Sequence, residues 1–161
     1  CIDDGSNDRT YEILKNFAEH ERRIRLFQQE NKGPASARYI GYKHGIGDYY
    51  VMLDADDWVE ERFLSSLLSL ATATNADTVM SDLHVRAADQ TWYSFSDSQG
   101  LQKGDTYSGT RAFALTFPWQ IHGVCLWRAK LIKSYATDPS DTENPYNSDE
   151  FLSRKLLLHS I

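Results

Sequence analysis

The chain has 161 residues, of which 41% are hydrophobic and 25% charged, a composition ordinary for one globular domain with a core of its own. Its net charge of −6 argues against a nucleic-acid binder, because such a surface needs an excess of Lys and Arg. No apolar run reaches the roughly 18–20 residues that span a bilayer. The two cysteines, Cys1 and Cys125, are too few for a disulfide framework and fit a reducing, cytoplasmic compartment.

Strands and helices are predicted to alternate along the first half of the chain. Helical spacing of apolar residues begins after the turn at residues 4–8, and Pro34 is well placed to open a second helix that ends near Gly45. A third helix is predicted at residues 61–72. Strands are predicted at residues 24–27, 48–53 and 78–80. The run at 48–53 is apolar after its first residue, as expected of a strand covered on both faces.

The second half is less regular. Residues 86–109 are polar and poorly periodic, which predicts a long loop or hairpin, and helices are predicted at 107–117, 127–135 and 149–159. Alternating strands and helices indicate an α/β fold with a mostly parallel sheet. Because Cys1-Ile2 resembles the end of a strand rather than a natural start, we expect the chain to be a fragment.

Two acidic clusters each follow a predicted strand: Asp3-Asp4 and the segment 54–57. Ligands of open α/β sheets bind beyond the carboxyl ends of the strands. Carboxylates gathered there repel one another unless a cation or hydrogen-bond donors separate them, and a hard divalent ion would also bridge to phosphate oxygens. In Asp54-x-Asp56, one carboxylate could bind the metal while the other accepts from a ribose hydroxyl or a metal-bound water. The alternative for both clusters is a set of solvated turns that cap the following helices.

Three further residues have two interpretations each. Arg38 could reach Asp4, a base or a phosphate, or it could be a surface charge beside Glu30. Asp149 could be a general base or an N-terminal helix cap. Trp119 could stack on a sugar ring or be a buried anchor.

Three strings of residues closely resemble the family 2 glycosyltransferases: Cys-Ile-Asp-Asp-Gly-Ser-Asn-Asp at 1–8, Gln-Glu-Asn-Lys-Gly-Pro-Ala-Ser-Ala-Arg at 29–38 and Tyr-Val-Met-Leu-Asp-Ala-Asp-Asp-Trp at 50–58. These are inverting enzymes with the GT-A fold, a Rossmann-like nucleotide-sugar-binding fold with a mostly parallel sheet. The resemblance implies that this chain lacks the first, central strand of that fold, so we expect the fragment to be unstable or inactive alone. The resemblance implies one domain over residues 1–161. Residues 1–80 would form its nucleotide-sugar-binding half and residues 81–161 its acceptor-side half.

The resemblance also implies a donor pocket. Asp4 would contact the nucleotide base, with Asp3 as the second choice, while Asn31 and Arg38 would line the pocket. The donor would be a nucleotide-diphosphate sugar, most commonly a UDP-sugar in this family. The acceptor would be a saccharide or a lipid-linked saccharide used in surface polysaccharide or glycolipid synthesis, which leaves peripheral association with the inner face of the membrane open.

For the chemistry, the resemblance implies a D-x-D element with Asp56 on Mn²⁺ or Mg²⁺ and Asp54 near the ribose and the metal, helped by Asp57. Asp149 would be the catalytic base. The chain departs from the family pattern at three places: it has Tyr39 where Asn is common, Ser148 where Glu usually precedes the base, and Cys125 near a frequent Lys. A non-catalytic nucleotide-sugar-binding module and a nucleotidyltransferase are the competing hypotheses.

Overall fold

The computed structural model describes residues 1–87, 89–94, 101–117, 124–142 and 148–161, and it describes the backbone alone at Tyr93, Asp141, Ser148 and Asp149. In the described residues the strands are β1 (Ile2–Asp3), β2 (Phe27–Gln28), β3 (Tyr49–Val51), β4 (Thr78–Met80), β5 (His84–Arg86), β6 (Trp92–Ser94) and β7 (Cys125–Arg128). The helices are α1 (Thr10–His20), α2 (Pro34–His44), α3 (Phe63–Thr74), α4 (Gly109–Leu115), α5 (Ala129–Tyr135) and α6 (Ser148–Leu158), with a 3-10 turn at Pro139–Thr142.

The strands of the described residues form three small sheets. Strands β1 and β2 pair in parallel, with Ile2 opposite Phe27. Strand β7 lies between β3 and β4 and runs antiparallel to both, so that β3 and β4 are parallel to each other. Strands β5 and β6 form an antiparallel hairpin, which confirms the hairpin alternative for part of the polar stretch. The α/β fold class is therefore confirmed, with an antiparallel strand at the centre of the second sheet.

Strand β7 is the element that the sequence pattern missed. A helix was expected at 127–135, but the chain is extended through Arg128 and becomes helical only at Ala129. Cys125, Leu126 and Trp127 are all buried. A strand covered on both faces has a continuous apolar run, and periodicity cannot separate such a short run from the first turn of a helix.

The core lies on the two faces of β7. On one face Cys125 and Trp127 pack with residues of α5 and α6, including Ile132 and Leu156. On the other face Leu126 packs with Val79 of β4 and with apolar residues of α3. The two-residue period of a strand thus divides the buried side chains of β7 between two clusters.

Strand β3 is shorter and less covered than predicted. It ends at Val51, its three residues are only half-buried, and Leu53 is exposed. Two of its three residues, Tyr49 and Tyr50, carry a polar hydroxyl, and that of Tyr50 donates to the Gly45 carbonyl at 2.6 Å. The chain therefore leaves the sheet two residues earlier than expected, before the acidic segment.

A buried carboxylate fastens β4 to β7 and α5. Oδ1 of Asp77 lies 2.9 Å from Nε of Arg128, and its Oδ2 lies 2.8 Å from Nζ of Lys130. The Arg128 guanidinium also donates to the Asn75 side chain and to the Ala76 carbonyl. The Asp77 carboxylate is buried, whereas Arg128 is partly exposed and Lys130 is half-exposed, so these ion pairs join the three elements at the border of the core.

Candidate functional site

The turn after β1 holds the loop that precedes α2. Oδ1 of Asp4 accepts from the backbone N–H of Lys32 at 2.9 Å and from the Gln29 side chain, and its Oδ2 accepts from the backbone N–H of Gly33 at 2.9 Å. Hydrogen bonds to an ionised acceptor are stronger than neutral ones. The Asp4 carboxylate therefore fixes the start of α2 to the end of β1.

Glycine makes this close approach possible. A Cβ on Gly5 would lie 2.7 Å from the backbone nitrogen of Asn31, and the φ of Gly5 is +74°. Gly33 has a φ of +83° at the N-cap of α2 and is followed by Pro34 in the first turn. Asn31 is exposed on the loop between these two turns. The turn chemistry of the first two family-like strings thus places Asn31 beside the end of β1.

Asp3 is buried, unlike its neighbour. Its Oδ2 accepts from the Gln28 side chain at 3.1 Å across the β1–β2 pair. Hydrogen bonding by the Ser6 side chain, followed by that of Gln28, lowers the pKa of the Asp3 carboxyl, against the opposite effect of burial. Asp3 therefore stays ionised and stabilises the local turn, and Asp4 is the more accessible of the two acids.

The helix α2 connects this turn to the acidic segment after β3. A guanidinium nitrogen of Arg38 lies 3.4 Å from Oδ1 of Asp54, with the Arg38 side chain mostly buried and the Asp54 side chain half-exposed. The segment turns back at once, since the Asp57 N–H donates to the Asp54 carbonyl at 3.2 Å. Asp56 is exposed in that turn. Arg38 thus contacts Asp54, a partner that was not expected for it from the sequence.

Tyr42, one helical turn after Arg38, is buried close enough to sense both charges of this ion pair, and it was not foreseen as part of the site. Burial raises the pKa of its hydroxyl to about 12, and the charges of Arg38 and Asp54 also act on it. Its ring contacts that of Tyr50 on β3, with centroids 6.2 Å apart. The i, i+4 spacing from Arg38 was the available signal for this role.

The two acidic clusters were expected to share one cation, and the described residues form no such cluster. No three His, Cys, Asp or Glu side chains in the described part of the chain are grouped to hold a metal. Instead, Asp4 accepts from the backbone N–H groups of Lys32 and Gly33, and Asp54 lies beside Arg38. Asp54 and Asp56 nevertheless offer two hard oxygen donors, and Mg²⁺ characteristically binds one or two carboxylates together with substrate phosphates.

Asp149 lies in the first turn of α6, which begins at Ser148. The helix is predicted correctly to within one residue at each end, and the Asp149 side chain lies outside the described part. The next turn is anchored: Nε of Arg154 lies 2.6 Å from Oε1 of Glu150, and the Arg154 guanidinium donates to the Thr116 carbonyl at 2.7 Å. The start of α6 is therefore fixed to the end of α4. Trp119 also lies outside the described residues.

The profile of Glycosyl transferase family 2 matches residues 1–136, most of the chain. The chain belongs to this family. Glycosyltransferase GlyA of Streptococcus pneumoniae is 33% identical over 100 residues, covering 62% of this chain and 13% of that protein. A cholesterol galactosyltransferase of Borreliella burgdorferi is 37% identical over 84 residues, covering 52% of this chain and 24% of that protein.

The fold of this family 2 member is also similar to a solved structure. A crystal structure of S. aureus TarS aligns over 99% of this chain and 45% of that one, with a TM-score of 0.69 and 18% sequence identity. The predicted GT-A fold class is thereby confirmed. This chain spans less than a third of each of the two curated relatives and under half of the TarS chain. None of the helices in the described residues has the length and apolar character needed to cross a bilayer.

Proposed function

We propose that this family 2 member transfers a sugar from a nucleotide-diphosphate sugar to an acceptor hydroxyl with inversion of configuration. The proposal depends on one observation: hydrogen bonds and an ion pair connect all three family-like strings, so that they lie side by side. We call this region the donor edge. Asp4 binds the backbone of Lys32 and Gly33, and Arg38 on the helix that follows contacts Asp54. If these residues served only as separate helix caps, contacts between the three strings would not be required.

The donor pocket is proposed along that edge. The outer face of the Asp4 carboxylate would accept from a base N–H, with Asp3 behind it as a support, while Asn31 and Arg38 would line the walls. Asp54 would face the ribose. UDP is the proposed nucleotide because UDP-sugars are the common donors of the family. We assign residues 1–80 to this donor half and residues 81–161 to the acceptor half.

The metal would be Mn²⁺ or Mg²⁺, held by Asp56 with Asp54 beside it, and completed by phosphate oxygens and water. When bound, such an ion neutralises the departing diphosphate. The contribution of the chain is to hold two exposed carboxylates in a short turn, with Arg38 next to Asp54 to limit their mutual repulsion. Two ligands alone bind weakly, so metal and donor should bind together.

Asp149 is the proposed base that takes the proton of the acceptor hydroxyl. The acceptor would be a saccharide or a lipid-linked saccharide. The name of the Borreliella burgdorferi relative, a cholesterol galactosyltransferase, points to a lipid acceptor for that protein and is compatible with an acceptor that carries a lipid here. We place the protein in the cytoplasm, with peripheral association to the inner face of the membrane when the acceptor is lipid-linked.

Donor binding is tested by calorimetry with UDP-glucose, UDP-galactose and UDP-N-acetylglucosamine, each in Mn²⁺ and in excess EDTA. We expect binding in Mn²⁺ only, and a loss of about tenfold or more in affinity, about 1.4 kcal/mol, for Asp56→Ala. Asp48→Ala is the matched control, because Asp48 is an exposed acid at the opposite end of β3. Equal binding of UDP-sugars in EDTA would refute the metal assignment.

Catalysis is tested separately from binding. Asp149→Asn should abolish transfer in the protein that carries this chain while donor affinity stays within about twofold. If transfer survives, Asp149 is a helix cap and the base lies elsewhere. If the unaltered protein binds donor and never transfers it to any acceptor, the competing hypothesis of a non-catalytic nucleotide-sugar-binding module is correct.

A further inference from the structure

Two exposed indoles lie beside the acidic turn, and the proposed function gives them no role. Trp58 directly follows Asp57 and is 72% exposed, and Trp92 on the β5–β6 hairpin is 52% exposed. Their ring centroids are 6.0 Å apart with the planes at 81°, an edge-to-face contact. An exposed pair of this kind leaves apolar surface in water that a bound partner would cover.

The hairpin holds Trp92 in place. Arg86 is its cross-strand partner, and the Arg86 guanidinium lies 5.7 Å from the centre of the Trp92 ring. At the base of the hairpin, the Ser94 hydroxyl donates to Oδ1 of Asp82 at 2.8 Å. Indoles constrained by neighbours lose little conformational entropy when they bind, which favours their use as a recognition surface.

The position of the pair relates it to the reaction. Two residues of chain span at most about 7 Å, so the Trp58 backbone lies within that distance of Asp56. Trp58 is therefore a near neighbour of the proposed diphosphate site. This position suits an acceptor, whose reactive hydroxyl must approach the donor sugar while the rest of the molecule extends away.

The charged residues around Trp58 indicate which class of partner this surface could bind. Exposed acids flank it on both sides, namely Asp54, Asp56, Asp57, Glu60 and Glu61, and among the described residues they outnumber the two exposed cations near the pair, Arg62 and Arg86. Anionic lipid surfaces attract basic segments and are repelled by such a cluster. A neutral saccharide fits better, since its C–H ring face contacts an indole while its hydroxyls donate to carboxylates.

We infer that Trp58 and Trp92 form a stacking surface for a neutral saccharide acceptor of the transfer proposed above. The inference rests on that proposed function for its chemistry. In this role the two indoles bind and orient the acceptor, and they take no part in donor or metal binding. Their removal should therefore change the KM for the acceptor and leave the affinity for UDP unchanged.

The first test is direct binding to the protein that carries this chain. Maltotriose, lactose and triacetylchitotriose are titrated in the presence of UDP and Mn²⁺, while the indole N–H signals of Trp58 and Trp92 are followed by NMR. Single Trp→Phe variants assign the signals. We expect at least one of the three sugars to shift both. If none does, or if only vesicles of equimolar phosphatidylcholine and phosphatidylglycerol shift them, the inference is overturned.

The second test is kinetic. Trp58→Ala and Trp92→Ala should each raise the KM for the bound sugar as acceptor by roughly tenfold, on the scale of one lost aromatic stacking contact, with kcat little changed. Trp58→Phe should recover much of the loss. Phe17→Ala is the matched control, because Phe17 is a comparably exposed aromatic residue on α1. An unchanged acceptor KM in both alanine variants overturns the inference.

The proposed donor site and the stacking surface can be tested independently of each other. Calorimetry with UDP and Mn²⁺ on the unaltered protein comes first. If UDP does not bind while a sugar shifts both indoles, the proposed donor site is wrong and the saccharide-binding surface is supported. If UDP binds with metal and no sugar affects the indoles, the proposed function stands and the stacking surface is wrong.

Discussion

Replacing Asp77 with alanine should strongly destabilise the second sheet. Asp77 is 3% exposed, and its two oxygens lie 2.9 Å from the Arg128 guanidinium and 2.8 Å from the Lys130 ammonium. Its removal leaves a partly buried guanidinium without its carboxylate at the junction of β4 and β7. The loss should be seen in global unfolding, because β7 carries the core of the described residues.

The magnitude follows from the burial of the partners. Breaking a buried ion pair by removing one member costs about 3–5 kcal/mol. Here the cost is reduced for two reasons. Arg128 is 27% exposed and keeps the Asn75 side chain and the Ala76 carbonyl as acceptors. Lys130 is 56% exposed, so water can solvate its ammonium group. We therefore expect a loss of about 2–3 kcal/mol in the free energy of unfolding. For a chain of this length that corresponds to a Tm lower by roughly 4–12 °C.

Urea unfolding of both proteins measures this difference, with equal slopes showing that the same surface is exposed. Lys130→Ala is the control: it removes the exposed partner and should cost less than about 1 kcal/mol. The double variant Asp77→Ala/Arg128→Ala should lose less than the sum of the two single changes, because no guanidinium is left unpaired. A loss below about 1 kcal/mol for Asp77→Ala would refute the reasoning.

Three further predictions concern the turn after β1, the packing of α4 and the response to pH. Asp4→Asn should weaken UDP-sugar binding. It should also speed hydrogen exchange of the Gly33 backbone amide by about 30-fold, equivalent to about 2 kcal/mol, because the Asn side-chain amide would present an N–H to a backbone donor. Gly109→Ala should cost about 1–3 kcal/mol of stability, because its Cβ would collide with carbonyl oxygens at the end of α6. Above pH 9, ionisation of Cys125 in the unfolded state should by itself lower the free energy of unfolding by up to about 1.4 kcal/mol per pH unit.

Each of these has its own check. For the turn, Asp8→Asn is the control, since Asp8 also accepts from a backbone N–H but lies at the start of α1. Unchanged exchange at Gly33 would contradict the first prediction, and an unchanged midpoint of urea unfolding would contradict the second. For pH, burial raises the Cys125 pKa from 9.0 to about 12, so only the unfolded state ionises between these values and stability is lost as pH rises. Cys125→Ala should flatten that slope.

Local chemistry made much of the donor edge predictable. The glycines at 5 and 33 and the Pro at 34 act within a few residues, and the turn and helix that they predict are present. Strand β4 was predicted with its observed limits, because a short apolar run is bounded by polar residues on both sides. The alternation of strands and helices likewise fixed the α/β class, since each element needs a partner for its apolar face.

Other features depended on contacts between distant parts of the chain. Residues 125–128 form a strand because β3 and β4 supply hydrogen bonds on both sides, and no pattern within four residues contains that information. The pairing of Arg38 with Asp54, rather than with Asp4 or Glu30, joins residues 16 positions apart and depends on where α2 lies relative to the end of β3. The Trp58–Trp92 contact joins residues 34 positions apart through the hairpin. Sequence determined which chemical groups were available, and tertiary packing decided which of them meet, because side-chain partners are set by distance in space.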